Sequence, residues 1–257
     1  MDPARPEFVP DPSQSREEME ALQTRVAEAA VFEDDFAFDV DAVSLADEAS
    51  LDGDRPLVAG VDQAFLDDRA VSAIVVMRGG ETVERAHAVT DLSIPYIPGL
   101  LSFREGGPIL AAFEELDCTP DLAVFDGNGR IHFRQAGLAT HLGVVLDVPS
   151  VGVAKSLLCG TPRDSLDDRP AGWRTPVVVE SDDDVDAPDG TVIGYAYQSR
   201  QYDSNPVINP LFVSPGHRVS AETVVDIVSR LGGGYKLPEP TRRADEYADD
   251  VKAQYSA

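Results

Sequence analysis

Leu122-Ala-Val-Phe-Asp126-Gly-Asn-Gly-Arg-Ile-His132 joins four apolar residues to an aspartate and two glycines. A short apolar run that ends in turn residues is typical of a buried strand. Because both faces of such a strand must be covered, the run favours a parallel strand between helices. Asp126 would then lie at the carboxyl end of the strand, where open α/β sheets bind their ligands. The alternative is an ordinary aspartate that caps a turn after the strand.

The segments before this strand predict an antiparallel meander and one helix. Strand-like segments at 57–65, 70–77 and 82–89 are joined by two short turns, which is the pattern of a meander. A helical pattern follows from Leu100 to Leu116. Gly106-Gly107-Pro108 predicts a kink or a restart within that helix, because proline lacks the amide proton that the helix needs.

The second half of the chain continues the alternation of strands and helices. The predicted elements are a helix from about Gln135 to Leu146, strands at 150–154, 175–179, 191–197 and 207–213, and a helix from about Ser220 to Leu231. Pairing of the first meander strand with the parallel strand at 121–126 would place Asp62 and Asp126 side by side. The predicted fold class is therefore α/β, with a ribonuclease H-like mixed sheet: an antiparallel three-strand meander plus parallel strands, flanked by helices.

Both ends of the chain are expected to contribute less to the core. The proline-rich residues 1–12 are expected to be frayed or loosely docked, and a capping box of Ser15 and Glu18 begins a helix that runs to about Phe32. The last ~20 residues are polar and are expected to pack poorly. The expected division is an N-terminal helix with an acidic connector, one α/β domain and a polar C-terminal tail, at residues 1–55, 56–235 and 236–257.

The composition is dominated by acidic residues. The chain has 257 residues, with 46 Asp and Glu against 21 Lys and Arg, so its formal net charge is −25. So acidic a surface would argue against a nucleic-acid partner at ordinary salt. In molar salt, however, the Debye length is only ~3 Å and self-repulsion is screened. We therefore favour a protein of a halophilic cytoplasm, in which the local charge of the site decides what binds.

Nothing in the sequence indicates export or a membrane. The N-terminus lacks the apolar core of a signal peptide, and no apolar run approaches the ~18–20 residues that a membrane span needs. Cys118 and Cys159 are the only cysteines, which implies no disulfide framework. We expect a cytoplasmic monomer with no membrane partner.

Three acidic residues on separate predicted elements are candidates for a metal site. Asp62 follows four small or apolar residues, and a carboxylate buried there is costly unless it is paired or holds a metal. Glu105 lies on the helix after the meander, and Asp126 ends its strand. Converging carboxylates suit Mg²⁺, which lowers the pKa of bound water and stabilises charge on a phosphate. Buried acids with a purely structural role are the alternative.

Pro95-Tyr-Ile-Pro-Gly-Leu-Leu-Ser-Phe-Arg-Glu105 closely resembles a signature of the endonuclease V family, the deoxyinosine-directed 3′ endonucleases. Further stretches match that family in the same order: Gly60-Val-Asp62, Asp126-Gly-Asn-Gly-Arg-Ile-His132, Gly152-Val-Ala-Lys-Ser156 and Ser214-Pro-Gly-His217. The resemblance covers roughly residues 57–231. It implies a metal-dependent nuclease of ribonuclease H-like fold that acts in DNA repair. Such an enzyme cuts the second phosphodiester bond 3′ to a deaminated adenine and leaves a 3′-hydroxyl and a 5′-phosphate.

The resemblance also implies roles for individual residues. Asp62 and Asp126 would be ligands of Mg²⁺, with Mn²⁺ as an alternative ion, and Glu105 would be the third active-site carboxylate. Lys155 would contact a phosphate or stabilise the leaving group, or would simply pair with the buried acids. His217 would lie beside the metal and position or deprotonate water. A histidine in a surface turn is the alternative for His217.

Two further groups of residues are carried over to substrate recognition. The wedge that enters the base stack would be formed by Pro95, Tyr96, Ile97 and Pro98. Unstacking costs a few kcal/mol and is easiest at a weakened pair such as that of inosine. The base pocket and its surroundings would be formed by Gly127, His132, Gly137 and Leu138. For His132, packing at the strand end is the alternative interpretation.

The sequence departs from the family pattern at three positions near the site. Asn128 stands where the family often has histidine, Phe133 replaces a common proline, and Gln63 is more polar than the usual neighbour of the first aspartate. These departures concern the recognition pocket more than the metal site. The expected substrate is inosine-containing DNA, with RNA as an alternative. A non-catalytic inosine-binding protein and a ribonuclease H-like nuclease of other specificity, such as a junction resolvase, remain alternative functions.

Overall fold

The computed structural model describes residues 1–45, 55–201 and 209–255. Its strands are β1 (Leu57–Leu66), β2 (Arg69–Arg78), β3 (Glu81–Asp91), β4 (Leu122–Asp126), β5 (Ser150–Ala154), β6 (Thr161–Pro162), β7 (Arg174–Val178), β8 (Val192–Tyr197) and β9 (Leu211–His217). Its helices are α1 (Arg16–Ala29), α2 (Leu101–Glu114), α3 (Leu138–Leu146), α4 (Ala221–Arg230) and α5 (Glu239–Tyr255), with 3₁₀ turns at Pro6–Phe8 and Val40–Ala42. Among these described residues, no helix is long and apolar enough to cross a membrane.

The strands form one mixed sheet in the order β3-β2-β1-β4-β5-β9-β8-β7-β6. The three strands of the meander pair antiparallel, β1 pairs parallel with β4, and β4 pairs parallel with β5. The predicted fold class is confirmed. The apolar residues of β4 are buried on both sides of the sheet, because helices cover both faces.

Alternation along the central strands assigns side chains to the two faces of the sheet. Ala123 and Phe125 pack in the core that contains α2 and α3, whereas Leu122 and Val124 pack in the core that contains α4. Since successive side chains point to opposite faces, Asp126 follows Val124 onto the α4 side. Asp62 is on the same side as Val58, which packs in the same core as Val124.

Several predicted boundaries move for local reasons. Helix α2 runs through Pro108 without the expected restart. Helix α3 begins at Leu138 rather than near Gln135, because Gln135 has a left-handed φ of 52° and Gly137 forms the N-cap. The strand expected at 207–213 begins at Leu211 and continues to His217, and the first part of that prediction lies outside the described residues.

The expectation of a poorly packed C-terminal tail is wrong. Helix α5 occupies most of that segment and packs against β1 and β2, burying an apolar stripe of Ala244, Ala248 and Val251. Gly60 on β1 allows the close approach, since a Cβ there would lie 2.1 Å from the carbonyl carbon of Pro240. The C-terminal helix is therefore part of the layer that covers the Asp62 face.

The N-terminal residues, expected to be frayed or loosely docked, are docked and not frayed. The guanidinium of Arg5 reaches the Asp147 carboxylate at 3.3 Å, and the backbone N–H of Arg5 donates to the Val145 carbonyl oxygen at 2.9 Å. The His141 Nε2 lies 2.8 Å from the carbonyl oxygen of Phe8. Residues before α1 therefore dock on α3. The predicted capping box of Ser15 and Glu18 is confirmed at the start of α1.

Candidate active site

A pocket of about 300 Å³ opens at the carboxyl ends of β1, β4 and β5. Asp62, Glu105, Asp126 and Lys155 all line it. The parallel register pairs Val61 with Phe125, so Asp62 and Asp126 are the next residues along the two adjacent strands. The structure therefore brings together four of the five side chains that the sequence suggested for catalysis.

Asp62 brings to this pocket a buried carboxylate oxygen that has no partner among the described residues. Its Oδ1 accepts a hydrogen bond from the Gln63 backbone N–H at 2.7 Å. Its Oδ2 is buried and has no hydrogen-bond partner among the described residues. Burial, followed by the negative charge of Asp126, raises the pKa of Asp62 to about 8. A nearby cation would favour the ionised form of this group.

Glu105 approaches the pocket from the other face of the sheet, on the first turns of α2. Its Oε1 accepts a hydrogen bond from the Arg104 guanidinium at 3.0 Å. Burial raises the pKa of Glu105 to about 7, although the positive charge of Arg104 opposes the shift. Glu105 can therefore hold or release a proton near neutral pH.

Lys155 follows β5 and pairs with Asp126 across the end of the sheet. Its Nζ donates to the Asp126 Oδ2 at 2.8 Å. Burial alone would lower the pKa of Lys155, but the hydrogen bond and the charge of Asp126 raise it above its ordinary value. The ammonium stays charged at neutral pH. Because 53% of the Lys155 side chain is exposed, a ligand can reach it from solvent.

Asp245 on α5 is an acidic residue of this region that the sequence analysis missed. After burial and the charge of Asp126, the negative charge of Asp245 also raises the pKa of Asp62. Its charge acts on the pKa of Lys155 as well. The docking of α5 over β1 is what brings this carboxylate close. The apolar stripe at Ala244, Ala248 and Val251 is the signal in the sequence that could have revealed a docked helix.

The chemistry of these side chains fits a hard divalent cation. Within residues 1–45, 55–201 and 209–255, no group of three His, Cys, Asp or Glu side chains is arranged so that it could hold a metal ion. The carboxylates instead contact the protein's own cations, Asp126 with Lys155 and Glu105 with Arg104. The unpartnered Oδ2 of Asp62 beside Asp126 is an oxygen ligand of the kind that Mg²⁺ prefers.

A second cavity lies next to the carboxylate pocket, and Leu138 lines both. Its wall includes residues from the 95–105 stretch, the segment after β4, the start of α3 and the segment after β5: Tyr96, Gly99, Leu101, Ser102, Asn128, His132, Gly137, Leu138 and Leu158. Three of the residues that were expected near the base, His132, Gly137 and Leu138, are therefore here. Gly127 lines the carboxylate pocket instead.

His132 is buried between this cavity and the backbone of Gly99. Its Nε2 lies 3.0 Å from the Gly99 carbonyl oxygen, while its Nδ1 accepts the Arg134 backbone N–H at 3.2 Å. Burial lowers the pKa of His132 to about 4, so the ring is neutral and Nε2 carries the proton. Gln23 on α1 also donates to the Gly99 oxygen, at 2.7 Å. Both contacts fix the chain directly after the expected wedge.

The expected wedge presents one aromatic tip to solvent. Tyr96 is 62% exposed, and the prolines on either side of the Tyr96–Ile97 pair, Pro95 and Pro98, are exposed as well. Ile97, which was also expected to belong to the wedge, is partly buried and packs against the apolar cluster of α1 and α2. Ile97 anchors the segment and Tyr96 is the side chain that can enter a base stack.

The structure does not bring His217 to the carboxylate pocket. His217 is fully buried and pairs with Ser150, at the start of β5, whereas Lys155 follows the other end of that strand. At about 3.3 Å per residue, the two ends are on the order of 15 Å apart. The His217 Nδ1 accepts the Val31 backbone N–H at 3.1 Å, and its Nε2 contacts the Asp147 Oδ1 at 3.2 Å. Both earlier interpretations of His217, a place beside the metal and a surface turn, are therefore wrong.

Replacement of His217 with Ala is expected to weaken the fold and to leave catalysis intact. Loss of its two buried contacts should lower the free energy of unfolding by ~1–3 kcal/mol. Urea denaturation measures the loss. Because His217 is far from the carboxylate pocket, the cleavage rate constant of the folded variant should stay within about twofold of the wild type. A large loss of rate with unchanged stability would contradict this placement.

Comparison with known proteins identifies the family. The model of the Endonuclease V family matches residues 41–246. The Endonuclease V of the haloarchaeon Natronomonas pharaonis is 62% identical over 255 residues, which cover 99% of each chain. The crystal structure of Endonuclease V from Streptomyces avermitilis aligns over all of both chains, with a TM-score of 0.76 and 31% identity. Endonuclease V from Ciona intestinalis, in complex with DNA containing an inosine followed by a ribo-adenosine, has a TM-score of 0.71 and 25% identity, and the alignment covers 93% of this chain and 98% of that one. The chain therefore belongs to the endonuclease V family of DNA endonucleases.

Proposed function

We propose that this enzyme recognises deaminated adenine in nucleic acid and hydrolyses the second phosphodiester bond on its 3′ side, using Mg²⁺. The observation that carries the proposal is the unpartnered Oδ2 of Asp62, buried beside Asp126 in a pocket that also contains Lys155. The inosine-containing DNA bound by the Ciona intestinalis protein supports the choice of substrate. The wedge and the second cavity lie next to the pocket, where a displaced base could be held.

Asp62 and Asp126 are the residues that would hold the metal. Mg²⁺ takes oxygen ligands, and Mn²⁺ is an alternative for the same donors. When bound, the ion supplies activation of a water molecule and stabilises negative charge on the phosphate. The raised pKa of Asp62 shows how costly its ionised form is while no cation is near. Binding of a divalent cation would therefore be linked to release of a proton from this pocket.

Lys155 and Glu105 would act on the phosphate and on the attacking water. The Lys155 ammonium, charged and half-exposed, can donate to a phosphate oxygen or to the departing 3′ oxygen. The second of these roles would supply the proton of the 3′-hydroxyl, since the proposed reaction leaves a 3′-hydroxyl and a 5′-phosphate. Glu105, whose pKa is about 7, can orient the water and accept its proton.

Replacement of Tyr96 with Ala is expected to impair duplex substrates more than single strands. Only the duplex requires a base stack to be opened, which costs a few kcal/mol, so the loss of the exposed aromatic tip should lower duplex cleavage by ~10-fold or more. The measurement is kcat/KM on an inosine-containing duplex and on the same inosine-containing strand alone.

Tyr235→Ala is the matched control for this variant. Tyr235 is also an exposed tyrosine, 54% accessible, but it lines none of the site cavities. The control should leave both substrates unchanged. If Tyr96→Ala lowers cleavage of both substrates equally, Tyr96 acts on the base itself or on the fold and is not a wedge.

We infer that the enzyme works at high salt, as the net charge of −25 suggests. Screening of the repulsion should raise the thermal midpoint by ~10 °C or more between about 0.1 M and about 2 M KCl. Differential scanning calorimetry measures the shift, and sorbitol at matched osmolality is the non-ionic control. A midpoint that does not change with KCl would remove the halophilic interpretation.

Mapping of the cut on end-labelled strands tests the proposed function. We expect one cut, at the second bond 3′ to a single inosine, with Mg²⁺ in molar KCl, and no cut in the matched adenine strand. Parallel DNA and RNA strands decide which nucleic acid is the better substrate. Binding of inosine without any cleavage would favour the alternative of a non-catalytic binding protein.

A further inference from the structure

Asn128 has an unused hydrogen-bonding group at the second cavity. It lies in the turn after β4 and lines the cavity together with Tyr96 and Leu138. Its Oδ1 is buried and has no hydrogen-bond partner within the described part of the chain. Buried polar atoms without a partner are costly and rare in native proteins. An unused acceptor on a residue that lines a cavity points to a ligand that brings a donor.

Much of the remaining wall is apolar or already engaged. The two ring nitrogens of His132 contact the Gly99 oxygen and the Arg134 N–H, so they are not free for a ligand. Leu101, Leu138 and Leu158 supply apolar surface on which a flat base can lie. The Asn128 amide is thus a polar group of this wall that can still accept a hydrogen bond.

The backbone around Asn128 fixes the position of this amide. The Asn128 carbonyl oxygen accepts the Ala139 backbone N–H at 3.0 Å. The chain packs so closely that a Cβ on Gly137 would lie 2.4 Å from the same oxygen. The side chain therefore starts from a rigid position beside the N-terminus of α3. Such preorganisation suits a group that must distinguish two similar ligands.

We propose that the side-chain amide of Asn128 reads the Watson–Crick edge of hypoxanthine, the base of inosine. This inference rests on the inosine-directed function proposed above. Hypoxanthine presents N1–H beside the O6 acceptor, and the amide presents Oδ1 beside the Nδ2 donor. N1–H donates to Oδ1, and Nδ2–H donates to O6, as a pair of parallel bonds. With the amide in the orientation that the structure has, adenine would set its N1 lone pair against Oδ1 and its N6 amino group against Nδ2.

The test compares inosine with a base that lacks both groups. Nebularine has the same rings but neither N1–H nor O6. Binding is measured with the metal chelated, to single strands that carry inosine, nebularine or adenine at one position, which excludes the cost of duplex opening and the chemistry. We expect the wild type to prefer inosine by at least ~10-fold, the discrimination that one good bidentate pair gives. Asn128→Leu should lose that preference by weakening inosine binding alone.

Leu158→Ala is the matched control, because it alters the same cavity without removing a polar group. It should weaken both bases to a similar extent. Thermal denaturation checks the fold of each variant, and Asn128→Ser and Asn128→Ala repeat the comparison if Asn128→Leu does not fold. An Asn128 variant that keeps the wild-type preference, or that weakens both bases equally, would overturn the inference. A wild type that does not distinguish inosine from adenine strands would instead overturn the proposed function.

Discussion

Asp126→Asn is expected to lower the cleavage rate by ~100-fold or more, because one group in such a site is commonly worth ~3 kcal/mol or more. The change keeps the shape of the side chain and removes the charge that a divalent cation needs. It also removes the charged partner of Lys155, whose Nζ lies 2.8 Å from the Asp126 Oδ2. Single-turnover cleavage of an inosine-containing duplex with Mg²⁺ measures the loss.

The same variant should still bind inosine. The wedge and the second cavity are separate from the Asp126 carboxylate, so binding with the metal chelated should be retained or slightly tightened. Asp121→Asn makes the same chemical change in the loop directly before β4, outside the pocket, and is the matched control. Asp126→Asn with wild-type cleavage would remove the catalytic assignment. Loss of binding together with cleavage would indicate damage to the fold, and Asp62→Asn would then carry the test.

Asp245→Asn is expected to lower cleavage by ~10-fold or more, because it removes a negative charge that acts on both Asp62 and Lys155 and so weakens the attraction of the site for a divalent cation. The carboxylate comes near Asp62 only because α5 docks over β1. Removal of one negative charge should make Asp62 easier to ionise, so the pH at which metal binding begins should fall. The pH dependence of cleavage at a fixed Mg²⁺ concentration measures both effects.

Asp249→Asn provides a matched control on the same helix. Asp249 is exposed one turn further along α5 and is not among the groups that shift the pKa of Asp62. It should leave the rate and its pH dependence unchanged. If the Asp245 and Asp249 variants behave alike, α5 serves the site only through packing.

The parts of the fold that follow from local pattern could be predicted. The apolar run of β4 has to be buried on both faces, and that requirement leads to a parallel strand between helices. The apolar segments of β1 and β2, the third strand β3 and the short connections between them give a meander. Once β1 pairs with β4, Asp62 and Asp126 meet, and the same reasoning places Lys155 beside Asp126 at the end of β5.

Other parts depend on contacts that the pattern does not contain. Helix α5 is polar on average, and the apolar clusters include only Ala244, Ala248 and Val251 among its buried side chains, so Asp245 was missed. His217 follows a proline and a glycine, which resembles a turn, but the antiparallel pairing of β9 with β5 extends the strand through both residues. That pairing carries His217 to the end of β5 opposite the pocket.

Binding of Mn²⁺, followed by the electron paramagnetic resonance signal of the free ion in molar KCl, tests most directly whether Asp62 and Asp126 form the metal site. High salt suppresses weak association with the acidic surface. The proposal predicts one Mn²⁺ site in the wild type and in Asp249→Asn. In Asp126→Asn that site should be lost, or its affinity should fall by ~10-fold or more, which corresponds to about 1.4 kcal/mol. Equal binding by the wild type and Asp126→Asn would contradict it.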